Sequence, residues 1–300
     1  LRIIKICRRR FFCISEGGDF PSDRDHFLTG KIIFIFIRES DIFIAYAVFV
    51  DNSAAVLRLW QNNYSETCME IMTMVDSPLI KEIVNIHGAD LCGIVAAEEF
   101  AEAPEGFRPK DIFSACRSVV VFARRLPAGS LSAHSCVPYT HVNKLITEEV
   151  DRMTLSISSA IEEYKIRTVV IPSDDPYEHW EPENKYGQGI LSLRHAGYLA
   201  GLGVLGKNTL LINREYGNML QLGAILLDVE LEPDSPANYI GCPEDSRLCI
   251  DICPQGALDG KTVDQKRCRQ LSINITEKGY TLKKCNLCRS ICPNVTGINS

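Results

Sequence analysis

Two short segments near the end of the chain constrain most strongly what it can fold into. Cys249-Ile-Asp-Ile-Cys253-Pro254 and Cys288-Arg-Ser-Ile-Cys292-Pro293 both read C-x3-C-P, offset by 39 residues, and Cys285 extends the second to C-x2-C-x3-C-P. A cube of iron and sulfide needs thiolates from four directions. Closely spaced cysteines on a turning backbone supply three, and a distant cysteine supplies the fourth. In two-cluster modules of this kind the cysteine before proline crosses to the other cluster. The spacing therefore predicts a ferredoxin-like module with two [4Fe–4S] clusters. The second is held by Cys253, Cys268, Cys285 and Cys288, the first by Cys242, Cys249 and Cys292. The repeat offset puts Ser246 where the first cluster expects its fourth ligand. That serine leaves three readings open: an oxygen ligand, a vacant corner with a [3Fe–4S] cluster, or a sequence error.

Thirteen cysteines, seven of them between Cys242 and Cys292, are too many and too unevenly placed for a disulfide framework in a chain of 300 residues. Thiolate ligands kept reduced in the cytoplasm fit better. Structural zinc is the competing reading, since C-x2-C pairs also build tetrahedral zinc sites. A formal net charge of −6 gives no general electrostatic footprint for nucleic acid.

Residues 1–68 contain no methionine and hold eight of the twelve phenylalanines, and Met69, Met72 and Met74 follow at once. This segment reads as an over-extended start or a poorly packed appendage. Lys31 to Val50 has nearly the length of a membrane helix, yet Arg38, Glu39 and Asp41 sit in its middle, so no membrane span is expected. Arg8-Arg9-Arg10-Phe11-Phe12 resembles a twin-arginine signal, with Glu16, Asp19, Asp23 and Asp25 where an apolar stretch belongs.

An α+β body is expected over residues 69–236 and the cysteine module over 237–300. Ser77-Pro78 opens a helix that Gly88 closes. Leu91–Ala96, Ser118–Ala123, Val169–Ile171, Thr209–Ile212 and Leu220–Val229 read as strands. Val142, Leu145, Ile146, Val150, Met153, Ile157, Ile161 and Tyr164 recur at three- and four-residue steps as one face of a long helix, and Leu191–Ala200 reads as another helix. Pro172 to Gly189 is a polar loop long enough to be functional. The run Gly201-Leu-Gly203-Val-Leu-Gly206-Lys207 matches G-x-G-x-x-G, but with a helix before it and a strand after it. That order is the reverse of a dinucleotide fingerprint. It predicts a glycine-lined turn near a different cofactor, with Gly201, Gly203, Gly206 and Lys207 as its contacts.

The stretch from His195-Ala-Gly through Gly201–Leu210, then Tyr216-Gly217, Ala224–Asp228, Val263-Asp264 with Cys268, and the double cysteine motif, resembles the epoxyqueuosine reductases. It is most similar to their short iron–sulfur relatives without the C-terminal helical-repeat region. The resemblance implies a body like those of flavin nitroreductases and cobalamin-processing proteins. It also implies electrons passing through two clusters to a cofactor, cobalamin being the candidate, that reduces a small-molecule or modified-nucleoside substrate. An electron-donor protein or reductant would supply them. The family's Asp-Tyr-His segment appears here as Tyr139-Thr140-His141, so Asp174 or Asp175 becomes the candidate acid, with His195 beside it. The helical-repeat region that helps hold tRNA has no counterpart after Cys292, which makes tRNA a doubtful partner. A non-catalytic electron carrier is the alternative from another class.

Overall fold

The computed structural model describes residues 31–39, 42–50 and 75–298. The chain divides into two compact units, 1–74 and 75–300. In the first, β1 (Lys31–Glu39) pairs antiparallel with β2 (Ile42–Val50). The stretch with near-membrane length is thus strand rather than helix, and among the described residues no helix is long and apolar enough to cross a membrane. The arginine run at 8–10 and the methionines at 69–74 lie outside the described residues.

The second unit runs α1 (Ser77–Ile86), β3 (Leu91–Ala96), α2 (Pro109–Ile112), β4 (Ser118–Arg125), α3 (Cys136–Glu162), β5 (Thr168–Ile171), β6 (His179–Glu181), β7 (Tyr186–Gln188), α4 (Leu193–Leu199), β8 (Val204–Leu205), β9 (Leu211–Ile212) and β10 (Leu220–Leu227). Next come α5 (Leu248–Asp251), α6 (Gln265–Ser272), β11 (Ile273–Ile275), β12 (Thr281–Lys283) and α7 (Leu287–Ser290).

A four-stranded sheet in the order β3-β4-β10-β5, antiparallel throughout, is the centre of this unit. Its two inner strands are apolar at most positions because both faces are covered, with Ser118, Arg124, Arg125 and Gln221 the polar exceptions, and the period-2 pleat sorts their side chains. Val119, Val121, Ala123, Leu222, Ala224 and Leu226 face a core shared with Ala196 and Ala200 at α4. Val120, Phe122, Ile225 and Leu227 face the opposite core, filled by Ile80 and Val84 of α1 and by Val150, Ile157 and Ile161 of α3. Each fully buried branched or aromatic side chain contributes about 1.5–3 kcal/mol. The result is helix, sheet, helix: a mixed α+β body, as the alternating patterns lead one to expect.

Local chemistry fixes the ends of the flanking helices. Asp76 caps α1 through the Leu79 N–H at 2.9 Å, with Pro78 in the first turn, and Ser135 caps α3 through Val137 N–H at 3.2 Å. The polar loop after β5 folds back as the small β6–β7 hairpin. Beyond β10, α5 and α7 are four-residue helices that pack against each other, each carrying a cysteine, Cys249 and Cys288, at its second position. The near-repeat in sequence is therefore a near-repeat in backbone.

Candidate functional site

The glycine run links the body to the cysteine region, and backbone contact explains its composition. Gly201 has φ +74° and its missing Cβ would strike the Ser235 carbonyl, while a Cβ on Gly203 would lie 2.5 Å from the Ile212 carbonyl oxygen. Gly206 abuts the Ile212 side chain. The run ends in Lys207, whose Nζ donates to the carbonyls of Pro243 (3.1 Å), Glu244 and Ser246 (3.0 Å). Next to it, the Asn208 side-chain amide donates to the Cys288 carbonyl at 2.9 Å. This turn thus anchors both cysteine segments.

The seven cysteines sort into two groups. Cys242, Cys249 and Cys292, with Ser246 and Lys207, line one small cavity of about 20 Å³. Burial first, then the neighbouring Cys242 and Cys292, raise the Cys249 thiol. Burial also raises Cys292, while the Asn294 N–H and the Asn218 side chain donate to its sulfur and pull the other way. In the second group, burial followed by Cys268, Cys285 and Cys253 raises Cys288 to about 11. Cys268 is raised by burial and then by Cys285 and Cys253, against a hydrogen bond with Ser272. Cys253 accepts the Ala257 N–H at 3.4 Å. The cysteines before proline have thus changed sides: Cys292 stands with the first group and Cys253 with the second.

Among the described residues no three His, Cys, Asp or Glu side chains are close enough to hold a single metal ion. The donor set suits an iron–sulfur cluster in its chemistry, being all sulfur in the second group, with N–H groups aimed at Cys253 and Cys292 to stabilise thiolate charge. The space within the first group is that of about one water, so admitting a cluster core requires its thiols to turn outward. The buried Asn218 Oδ1 has no partner, although its Nδ2 reaches the Arg289 carbonyl at 3.3 Å.

A far larger cleft of about 720 Å³ opens along α4 and is lined by Asp174, Tyr177, Arg194, His195, Tyr198 and Arg269, among others. Both candidate acid–base residues, Asp174 and His195, are therefore on one wall system, brought there by the β5–β6 loop and by α4. His195 Nδ1 lies 2.7 Å from the Ser192 hydroxyl, and burial together with the adjacent Arg194 charge lowers its pKa. Arg194 is itself fixed by bonds from Nη1 to the Thr209 carbonyl (2.7 Å) and hydroxyl (2.5 Å). Asp174 accepts the Tyr177 hydroxyl and has Lys283 Nζ at 3.9 Å. Burial raises Tyr177 and lowers Lys283.

Other candidates are placed elsewhere. Tyr139 is buried, His141 is exposed on α3, and Asp175 is exposed beside the cleft without lining it. Gly201, Gly203, Gly206 and Lys207 do not line the cleft. Tyr177, Lys283 and Arg269 are additions that spacing could not signal, because they come from three separate segments. Arg269 matters for layout: it faces the cleft from α6, one residue after Cys268. One short helix thus joins the second cysteine group to the cleft wall.

No protein-family model matches the chain. Over 114 residues it is 37% identical to the epoxyqueuosine reductase of Lactococcus garvieae, covering 34% of this chain and 31% of that protein. It spans about a third of the length of the curated relatives it matches. The solved structure of epoxyqueuosine reductase from Streptococcus thermophilus aligns with a TM-score of 0.51 at 22% identity, over 73% of this chain and 66% of that one. A reductive dehalogenase, whose structure is said to suggest a mechanism for B12-dependent dehalogenation, aligns at 0.50 and 18% identity over 72% of this chain and 31% of its own. These two likenesses show a shared fold.

Proposed function

We propose, from the premise that this chain is a relative of the epoxyqueuosine reductases, that it is a cytoplasmic iron–sulfur oxidoreductase with a ferredoxin-like two-cluster module and a cofactor, cobalamin, in the 720 Å³ cleft. The observation that carries this reading is the sorting of seven cysteines into two groups, one of them sharing α6 with the cleft wall. When bound, the clusters would supply single electrons and the corrinoid a strongly reducing centre.

This chain's own residues supply the rest. Arg194, half-buried and held by Thr209, offers a fixed positive charge to an anionic group of cofactor or substrate. Asp174, oriented by Tyr177 and Lys283, and His195, oriented by Ser192, hold protons at the wall where a reduced product needs one. A modified nucleoside is the substrate class that the relatives' name supports. The reservation about tRNA, drawn from the absence of a repeat region after Cys292, finds no support in these comparisons, and tRNA belongs among the substrates to be tried. Free thiols at all ten described cysteines suit a reducing compartment.

An ultraviolet–visible spectrum of the anaerobically purified chain, with cobalamin added and then removed by desalting, tests this reading. A broad cluster band with retained corrinoid features is the expected result. Clusters without retained corrinoid would move the assignment to an electron carrier, and a colourless protein holding zinc would overturn it.

A further inference from the structure

Spacing alone leaves three readings of Ser246, and its surroundings separate them. Ser246 closes a turn by donating its N–H to the Pro243 carbonyl at 3.1 Å. Lys207 grips that turn through three carbonyl oxygens, those of Pro243, Glu244 and Ser246. Turn, lysine and the thiols of Cys242, Cys249 and Cys292 line the same cavity. A serine hydroxyl ionises far less readily than a thiol and reaches less far, so it is a weak substitute for cysteine as an iron ligand. With its backbone held by Lys207, the turn is not free to carry another group to the corner. Among the described residues no fourth cysteine lines this cavity: Cys253, Cys268, Cys285 and Cys288 form the other group, Cys92 and Cys116 pack into the cores of the body, and Cys136 opens α3.

We infer that the first cysteine site is a three-thiolate site whose fourth corner, beside Ser246 and Lys207, takes a small exogenous thiolate. The inference rests on the iron–sulfur reading above. Thiolate is the soft ligand class that iron–sulfur clusters select, and the Lys207 ammonium favours an anion at that corner. Binding is a ligand substitution. The thiol gives its proton to solvent, its sulfur takes the corner, the displaced ligand leaves unchanged, and no electron moves. The second group, with four cysteines, has no such corner.

The test uses the full chain, reconstituted anaerobically with iron and sulfide, in wild-type form and as Ser246→Ala, Ser246→Cys and Lys207→Gln. Each is treated with stoichiometric ferricyanide, desalted, and measured for iron and by electron paramagnetic resonance. A four-iron cluster that loses its corner iron gives one electron to ferricyanide and releases one ferrous ion. Wild type and Ser246→Ala should lose about one iron per chain and gain the near-isotropic three-iron signal, while Ser246→Cys keeps its iron. Added 2-mercaptoethanol should shift the reduced wild-type spectrum and protect the iron, with the protecting concentration rising about tenfold in Lys207→Gln. Wild type holding iron as firmly as Ser246→Cys, or a spectrum that 2-mercaptoethanol leaves unmoved, would overturn the open corner alone. Failure of every variant to bind a cluster would overturn the iron–sulfur reading beneath it.

Discussion

The two cysteine groups are built on one local plan and set in different surroundings. Each places a cysteine at the second position of a four-residue helix, and each receives the cysteine before proline from the other's segment. The first group has three thiols around a small cavity and is gripped by the lysine that ends the glycine run. The second has four thiols and shares α6 with the wall of the large cleft. The same motif can therefore serve as an entry point for electrons in one place and as a delivery point in the other. On the proposed reading, the delivery point would be the group with a complete cysteine set and a short route to the cleft.

The largest effect that would sharpen this contrast is loss of a ligand from the complete site. Cys285→Ala should remove about four irons per chain and lower turnover by at least about a hundredfold, whereas Cys242→Ala should spare the second cluster. Iron and sulfide analysis beside the visible spectrum checks this, and equal losses in the two variants would break the division of roles.

Next in size are the cleft residues. Asp174→Asn and His195→Gln should each lower turnover about a hundredfold with cluster content unchanged. The pH profile separates them. Burial and Arg194 lower the His195 pKa, so its protonated ring is lost at a lower pH than an ordinary histidine's. Turnover that draws on that proton should fall as pH rises through this lowered value, and His195→Gln should flatten that limb.

A smaller, structural effect tests the glycine run. Gly203→Ala puts a methyl group against the Ile212 carbonyl and should destabilise the fold by about 1–3 kcal/mol. A thermal melt should show it as a drop of several degrees, with first-group iron lost before second-group iron. Smallest is Tyr177→Phe, which removes the hydroxyl that Asp174 accepts and should slow turnover about fivefold, about 1 kcal/mol. No change in KM or turnover there would mean that Asp174 needs no orienting partner.

Much of the body was legible from pattern. Leu91–Ala96 is a strand with the same ends as the valine-rich run suggests, and the strand expected over Ser118–Ala123 extends only to Arg125. Where a face is buried, periodicity is explicit. The long helix begins at Cys136, before the apolar stripe that starts at Val142, because the Ser135 cap and not core packing sets its first turn. The two short strands inside 172–189 left no pattern, since three residues each, of which only Gly187 is buried, are too few to show a period. Asp174 and His195 could be picked out as titratable residues in a loop and on a helix. Their partners Tyr177 and Lys283 could not, because nothing in local sequence ties a loop tyrosine to a lysine more than a hundred residues away.

By itself the sequence determined which cysteines belong to which group. The reach of thiols from a tight turn, and the turn away that proline imposes, depend on only a few neighbouring residues. Tertiary structure alone decided what surrounds each group. It brought Lys207 onto the Ser246 turn, put α6 between four thiols and the cleft, and turned the glycine run toward backbone contact and away from the cleft. Those outcomes depend on how a four-stranded sheet, its covering helices and the cysteine segments pack together, and packing is set by contacts between residues far apart in the chain.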